Sequence, residues 1–193
     1  ETNVLAHMPD AMILRPSVIV GPEDNFFNRF AGMSRMGPVL PVVGADTKFQ
    51  PVYVNDVARA AAMGAMGTAP GGVYELGGPD VGSFRELMQD MLKVIRRRRL
   101  VLNMPFWAAG LMARGFDLLS TLTFGLFGNG ILTRDQVRSL GRDNVVSDGA
   151  RGLADLGIRP TAMEAVLPDY LWRFRPAGQY DAIKESAGRL GAK

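Results

Sequence analysis

The sequence contains no cysteine and a single histidine, His7, and only 8% of its 193 residues are aromatic. The first absence excludes a disulfide framework, thiolate catalysis and cysteine-ligated zinc, and it is compatible with a reducing compartment. The second excludes a histidine-rich metal site; His7 has no nucleophile beside it to serve, and it reads as a lone surface or core residue. Charge of one sign is also scarce. Lys and Arg total 22 against 19 Asp and Glu, a formal +3, and a sequence pI near 9.5 amplifies that small excess without making a nucleic-acid footprint. No metal ligand set is expected, and no nucleic-acid partner.

An uninterrupted membrane-length apolar run is missing too. The segment 100–130 is rich in Leu, Phe, Met and Gly, but Pro105, Arg114 and Asp117 interrupt any window of about 20 residues, the length a spanning helix needs. An interfacial element fits better: Phe106, Trp107 and Phe116 can enter a headgroup boundary or a partner surface while Arg96, Arg97, Arg98 and Arg99 attract anionic lipid. The blander alternative is that the aromatics pack in a small lobe and the arginines end a solvated helix, where cations suit the dipole. The chain opens Glu1-Thr2-Asn3, neither a Met start nor a signal peptide, which leads us to expect a piece of a longer protein.

What is present is a foldable chain, 47% hydrophobic with 21% charged residues and a mean hydropathy of +0.05, enough apolar surface to offset the ordering entropy. Ala11 to Val20 is nearly continuous in apolar residues and stops at Gly21-Pro22; it predicts a strand buried on both faces of a parallel sheet, with Pro16 tolerated only late or at a bulge. Asn25 to Met36 predicts a helix with Phe26, Phe27, Phe30 and Met33 on one side. Lys48 to Val54 alternates as a strand into Asn55-Asp56, either of which can cap an Ala-rich helix, and Val73 to Leu76 is a further strand. Ser83-Phe-Arg-Glu86 is a capping box ahead of Phe84, Leu87, Met88, Met91, Leu92 and Ile95 at helical spacing. Thr133-Arg-Asp-Gln136 and Thr161-Ala-Met-Glu164 repeat the box, and Gly157 supplies a helix stop.

The order strand, turn, helix, strand, helix predicts an α/β layer architecture: the C-terminal part of a Rossmann-like doubly wound parallel sheet with a small, mainly helical lobe. The expected division is 1–80 for the Rossmann-like part interleaved with cleft-lining segments, 81–175 for the helical lobe, and 176–193 for a polar tail.

Phosphate-binding patterns fail on context. Gly64-x-x-Gly67 trails a helix instead of following a strand, and Gly125-x-x-Gly128-x-Gly130 sits in the apolar segment. Tyr180-Asp-Ala-Ile-Lys184 has the spacing in which a lysine lowers a tyrosine pKa for proton exchange, but it lies in the tail, away from any cleft. Arg15-Pro16-Ser17 is better placed, because ligands of open α/β sheets collect outside the carboxyl ends of strands; a strand terminus with a required turn is the competing account.

Four blocks then carry a resemblance: Arg15 to Phe30 (Arg-Pro-Ser-Val-Ile-Val-Gly-Pro-Glu-Asp-Asn-Phe-Phe-Asn-Arg-Phe), Phe49 to Ala58, Tyr74-Glu-Leu-Gly-Gly-Pro79 and Leu132-Thr-Arg-Asp-Gln-Val137. They resemble the C-terminal half of extended short-chain dehydrogenase/reductase proteins. The Glu23 to Phe30 block and Arg142-Asp-Asn-Val145 point to the atypical branch that includes the NAD(P)H-binding accessory subunits of respiratory complex I. That resemblance implies a Rossmann sheet whose Gly-rich loop, and whose Tyr-x-x-x-Lys helix, precede Glu1. It implies no catalytic residue in this chain. It places Arg15, Pro16, Ser17 and Val18 beside the nicotinamide end of an NADPH or NADH held largely by upstream residues, and Phe26, Phe27, Gln50 and Tyr53 along what is a substrate cleft in the enzymes.

The expected role is a non-catalytic accessory subunit, peripheral on the cytoplasmic face of a bacterial inner membrane or the matrix side of the mitochondrial one. Its expected partners are other complex I subunits and the membrane surface or lipid. A free NAD(P)-dependent epimerase, dehydratase or reductase is the rival.

Overall fold

A computed structural model describes residues 1–108 and 140–180. Thr133-Arg-Asp-Gln136, the second glycine pattern, Phe116 and Lys184 lie outside the described residues. A short helix α1 (Thr2–His7) precedes β1 (Met12–Pro16), which pairs in parallel with β6 (Gly72–Leu76), Met12 opposite Gly72 and Pro16 opposite Leu76. β2 (Ile19–Val20) pairs in parallel with β5 (Val52–Tyr53), and β3 (Val39–Val43) with β8 (Leu100–Met104). β4 (Lys48–Phe49) and β7 (Gly82–Ser83) form an antiparallel pair. The helices are α2 (Phe27–Met33), α3 (Val54–Ala65), α4 (Phe84–Val94) and α5 (Met163–Leu171).

Parallel pairing with intervening helices is the architecture the pattern predicted, but the predicted opening strand divides in two. Pro16 has no N–H to continue a ladder. The chain then changes partner: the Ser17 N–H donates to Leu76, and the Val18 carbonyl accepts from Val52 on a different pair. No residue of β1 is buried, so the expectation of burial on both faces does not hold. The predicted strand 48–54 divides for a similar reason at Gln50-Pro51, and Val54 already belongs to α3.

Helix ends also depart from expectation. The helix expected over 25–36 is only α2, followed by turns through Met36. Neither Asn55 nor Asp56 caps α3, whose N-cap is Tyr53. Asp56 is instead buried and accepts from both the backbone N–H and the hydroxyl of Thr161, at 2.7 and 3.2 Å. That bond spends Thr161, so α5 starts behind Ala162 with no side-chain cap. The box at Ser83 and Glu86 forms reciprocally, as read. Gly157 ends a 3-10 turn (Ala154–Leu156) at φ +68°, a left-handed stop that favours glycine. Within the stretch 81–175 expected to be mainly helical, Leu100–Met104 is the strand β8, drawn into register by β3.

Two clusters of buried side chains result. The larger takes Phe27 and Ala31 from α2, Leu40 and Val42 from β3, Phe84 to Leu92 from α4, and Val166 to Leu171 from α5. Phe26, Phe27, Phe30, Phe49 and Phe84 meet there with centroid separations of 5.1 to 5.9 Å, the offset and edge contacts that aromatic quadrupoles favour. The smaller joins Val52, Ala60, Tyr74, Leu76, Leu153, Leu156 and Ile158 under α3.

Candidate functional site

The carboxyl ends of β1 and β6 face the segment 143–147, and a set of hydrogen bonds straps that segment down. The Asn144 N–H donates to the Lys48 carbonyl at 2.8 Å, and the Asn144 carbonyl accepts from the Gln50 N–H at 3.0 Å and from Ser17 Oγ at 2.7 Å. Asp143 Oδ1 accepts from the Lys48 N–H at 2.8 Å. Gln50 works at both ends of its amide, donating Nε2 to the Gly78 carbonyl and accepting the Val146 N–H at Oε1. Gly77 and Gly78 permit this approach. A Cβ at Gly77 would stand 2.5 Å from the Gln50 side chain, and one at Gly78 2.1 Å from the Pro51 carbonyl oxygen.

Glu75, on β6, accepts from the Ser147 N–H at 2.8 Å and pairs with Arg15 at 3.4 Å. Those contacts, the Ser147 bond foremost, hold its carboxyl below the usual carboxylate range. Arg15 is exposed and its guanidinium also meets Glu1; the hydrogen bond to Glu1, and after it that carboxylate's charge, favours the charged form. Pro16 is exposed while Ser17 and Val18 are half-buried at the same strand end.

Across the loop after β2, Asp24 organises a second knot. Its Oδ2 accepts from the Gly21 N–H and from the Tyr170 hydroxyl of α5, and its Oδ1 accepts from the Asn28 N–H. Burial, and then this bond to Asp24, pushes the Tyr170 phenol up. Gly21 packs so tightly on Val54 that a Cβ would lie 2.7 Å from its methyl.

The structure therefore gathers Arg15, Pro16, Ser17, Val18 and Gln50 at one end of the parallel strands. Tyr53 is half-buried, with its hydroxyl accepting from Asn55. Phe27 exposes none of its surface and Phe26 packs against the same core, so the former cannot line a cleft and the latter contributes chiefly to packing. His7 sits exposed on α1 with Nδ1 against the Asn3 carbonyl. Arg97, Arg98 and Arg99 lie beyond α4 on the other side of β8's start, and Phe106 and Trp107 are exposed after its end. Asp24, Glu75, Tyr170 and the strap 143–147 were missed as site residues. Only the block Arg142-Asp-Asn-Val145 hinted at the last of these.

Chemically, the site positions loops. Its polar groups are engaged within the chain, and no general base faces a nucleophile among the described residues. At this strand end Arg15 and Pro16 are exposed, while Val18 packs partly against the larger core. Among the described residues the site shows no phosphate cradle, because Gly64 and Gly67 stand at the far end of α3.

Comparison with solved structures defines the class first. The fold matches the UDP-glucose 4-epimerase of Thermus thermophilus, solved with NAD, at a TM-score of 0.60 and 17% identity, over 91% of this chain and 50% of that one. It matches DesIV, a dTDP-glucose 4,6-dehydratase from Streptomyces venezuelae solved with NAD and TYD, at 0.58 and 18%, over 93% and 49%. The chain has the Rossmann-like fold of the extended short-chain dehydrogenase/reductase proteins.

Sequence relatives narrow it. The chain is 37% identical over 182 residues to NADH dehydrogenase [ubiquinone] 1 alpha subcomplex subunit 9, mitochondrial, of Arabidopsis thaliana, covering 92% of this chain and 45% of that protein. The protein of the same name from Rattus norvegicus is 30% identical over 178 residues, with coverages of 91% and 45%. The NADH-ubiquinone oxidoreductase 40 kDa subunit, mitochondrial, of Neurospora crassa is 26% identical over 182 residues. The chain spans about half the length of the curated relatives it matches, and no family model matches it. The resemblance to complex I accessory subunits read from its blocks thus holds.

Proposed function

We propose that the chain is part of a non-catalytic accessory subunit of respiratory complex I, one that holds a nicotinamide dinucleotide in a structural role. The observation that carries this reading is the 37% identity to the Arabidopsis thaliana subunit over nearly the whole chain. The site agrees with it, since a strapped strand end with its polar groups spent supports a ligand's position better than its turnover.

NADH or NADPH would lie against Arg15, Pro16, Ser17 and Val18, with most of its contacts supplied by residues outside this chain. When bound it offers hydride chemistry; in this role it adds stability by binding only the folded form. Ser17 and Arg15 act through the strap and through Glu75, keeping the strand end open. The subunit sits peripherally against other complex I subunits, on the cytoplasmic face of a bacterial inner membrane or the matrix side of the mitochondrial one. Among the described residues no helix is long and apolar enough to cross a membrane.

Detergent-solubilised membranes test this. The expected result is co-purification with NADH:ubiquinone oxidoreductase activity; recovery of the whole protein as an independent species turning over a nucleotide sugar would reject it in favour of a free epimerase or dehydratase.

A further inference from the structure

Four consecutive arginines follow α4, and the structure ties Arg97 and Arg99 back onto the protein. Arg96 takes φ +55°, turning the chain out of the helix. Arg97 Nε donates to the Phe174 carbonyl at 2.8 Å, and Arg99 Nε to the Ser34 carbonyl at 2.7 Å. Both acceptors lie far off in sequence, so each guanidinium plane is fixed by tertiary structure. Among the described residues no carboxylate pairs with Arg97, Arg98 or Arg99, while neighbouring Lys93 is matched by Asp90. Burial, and then the charges of Arg99 and Arg35, depress the Arg97 pKa. These arginines, with Lys93 and Leu100, line a wide-mouthed cavity of about 900 Å³. The forks of Arg97 and Arg99, oriented by those carbonyls and paired with no described carboxylate, match phosphate oxygens in geometry and sign.

Beside that cavity lies an apolar sheet face that no described residue covers. Strand alternation sends Val101 inward and leaves Leu100 and Leu102 64% and 51% exposed. Register places Val39, also exposed, opposite Leu100. Met36 stands exposed just before β3, and Trp107 follows β8 at 75% exposure. Leu100 belongs to both features. A soluble phosphate compound would need the arginines alone, whereas a lipid presents a phosphate and hydrocarbon together.

We propose that the Arg97–Arg99 cavity takes the phosphodiester headgroup of an anionic phospholipid while the outer face of β3 and β8 rests in the upper acyl region. This deepens, and rests on, the peripheral placement given above. It gives the start of the interfacial element expected over 100–130 the form of a strand face beside Arg97 and Arg99, which backbone carbonyls already hold; 109–130 lie outside the described residues.

The test uses the full-length protein and flotation with phosphatidylcholine vesicles, plain or with phosphatidylglycerol. Binding is expected only with the anionic lipid. Arg98→Gln removes an exposed charge that supports no fold contact, and should lower partitioning about fivefold at low salt. Leu100→Ser with Leu102→Ser should weaken it further. Arg59→Gln, an equal charge change on α3, should change it less than twofold. Equal effects of Arg98→Gln and Arg59→Gln would overturn the proposal. So would displacement by inorganic pyrophosphate with no effect of the leucine changes, which would make it a free-anion site. A protein that co-purifies with ubiquinone reductase but never floats defeats this proposal alone; one that floats but never co-purifies defeats the complex I reading and leaves the lipid site standing.

Discussion

The two parallel pairs β3·β8 and β1·β6 have the same length and the same kind of ladder, yet their surroundings differ. β3 buries Leu40 and Val42 against α2, α4 and α5, and the aromatic cluster belongs to the same core. β1 has no fully buried residue, Met12 and Leu14 packing only partly against the cluster under α3 and the turn 153–158. The first body closes on itself through large side chains. The second depends on polar straps: Asp56 to Thr161, Glu75 to Ser147, Gln50 to Gly78 and Val146. Burial of apolar surface sustains one region, and directed hydrogen bonds position the other, where the candidate ligand wall lies.

Substitutions can break that contrast. Phe84→Ala removes a fully buried ring in contact with three others, and denaturant unfolding should show a loss of about 3–5 kcal/mol. Leu76→Ala in the smaller cluster should cost less, about 2–3 kcal/mol, toward the lower end of such changes; a cost equal to that of Phe84→Ala would make the two cores equivalent. Asp56→Ala leaves the half-buried Thr161 N–H without its acceptor and should cost about 1–3 kcal/mol, with Asp56→Asn restoring part of it in the same measurement.

The smallest effect concerns acid. Glu75 has a depressed pKa in the folded state, so its contribution is complete above the ordinary carboxylate value and disappears as pH falls through the lowered one. Hydrogen exchange at Ser147 should therefore accelerate as pH drops below the carboxylate range, after correction for intrinsic rates, and Glu75→Gln should flatten that dependence. An unchanged profile in the variant would show that Glu75 does not hold the strap.

Local chemistry was legible wherever neighbours in sequence are also neighbours in space. The Ser83–Glu86 box, the apolar stripe of α4, the Gly157 stop and the strand before Gly77 all form as the pattern indicated. Thr161-Ala-Met-Glu164 had an equally good box pattern and did not form one, because Asp56, 105 residues earlier, claims the threonine. Phe27 looked like a cleft residue until α4 and β3 closed over it. Leu100 lies in the stretch expected to be mainly helical, but it pairs with β3.

By itself, then, the chain determined its layer class, its capped helix α4 and the blocks that mark its relatives, since periodicity, capping and short motifs act over a few residues. Tertiary structure alone decided which polar side chains were spent on straps, where the opening apolar run changed partners, and how four arginines came to surround one cavity. Those outcomes depend on competition between distant groups for the same donors, acceptors and buried space, and no local pattern records who wins it.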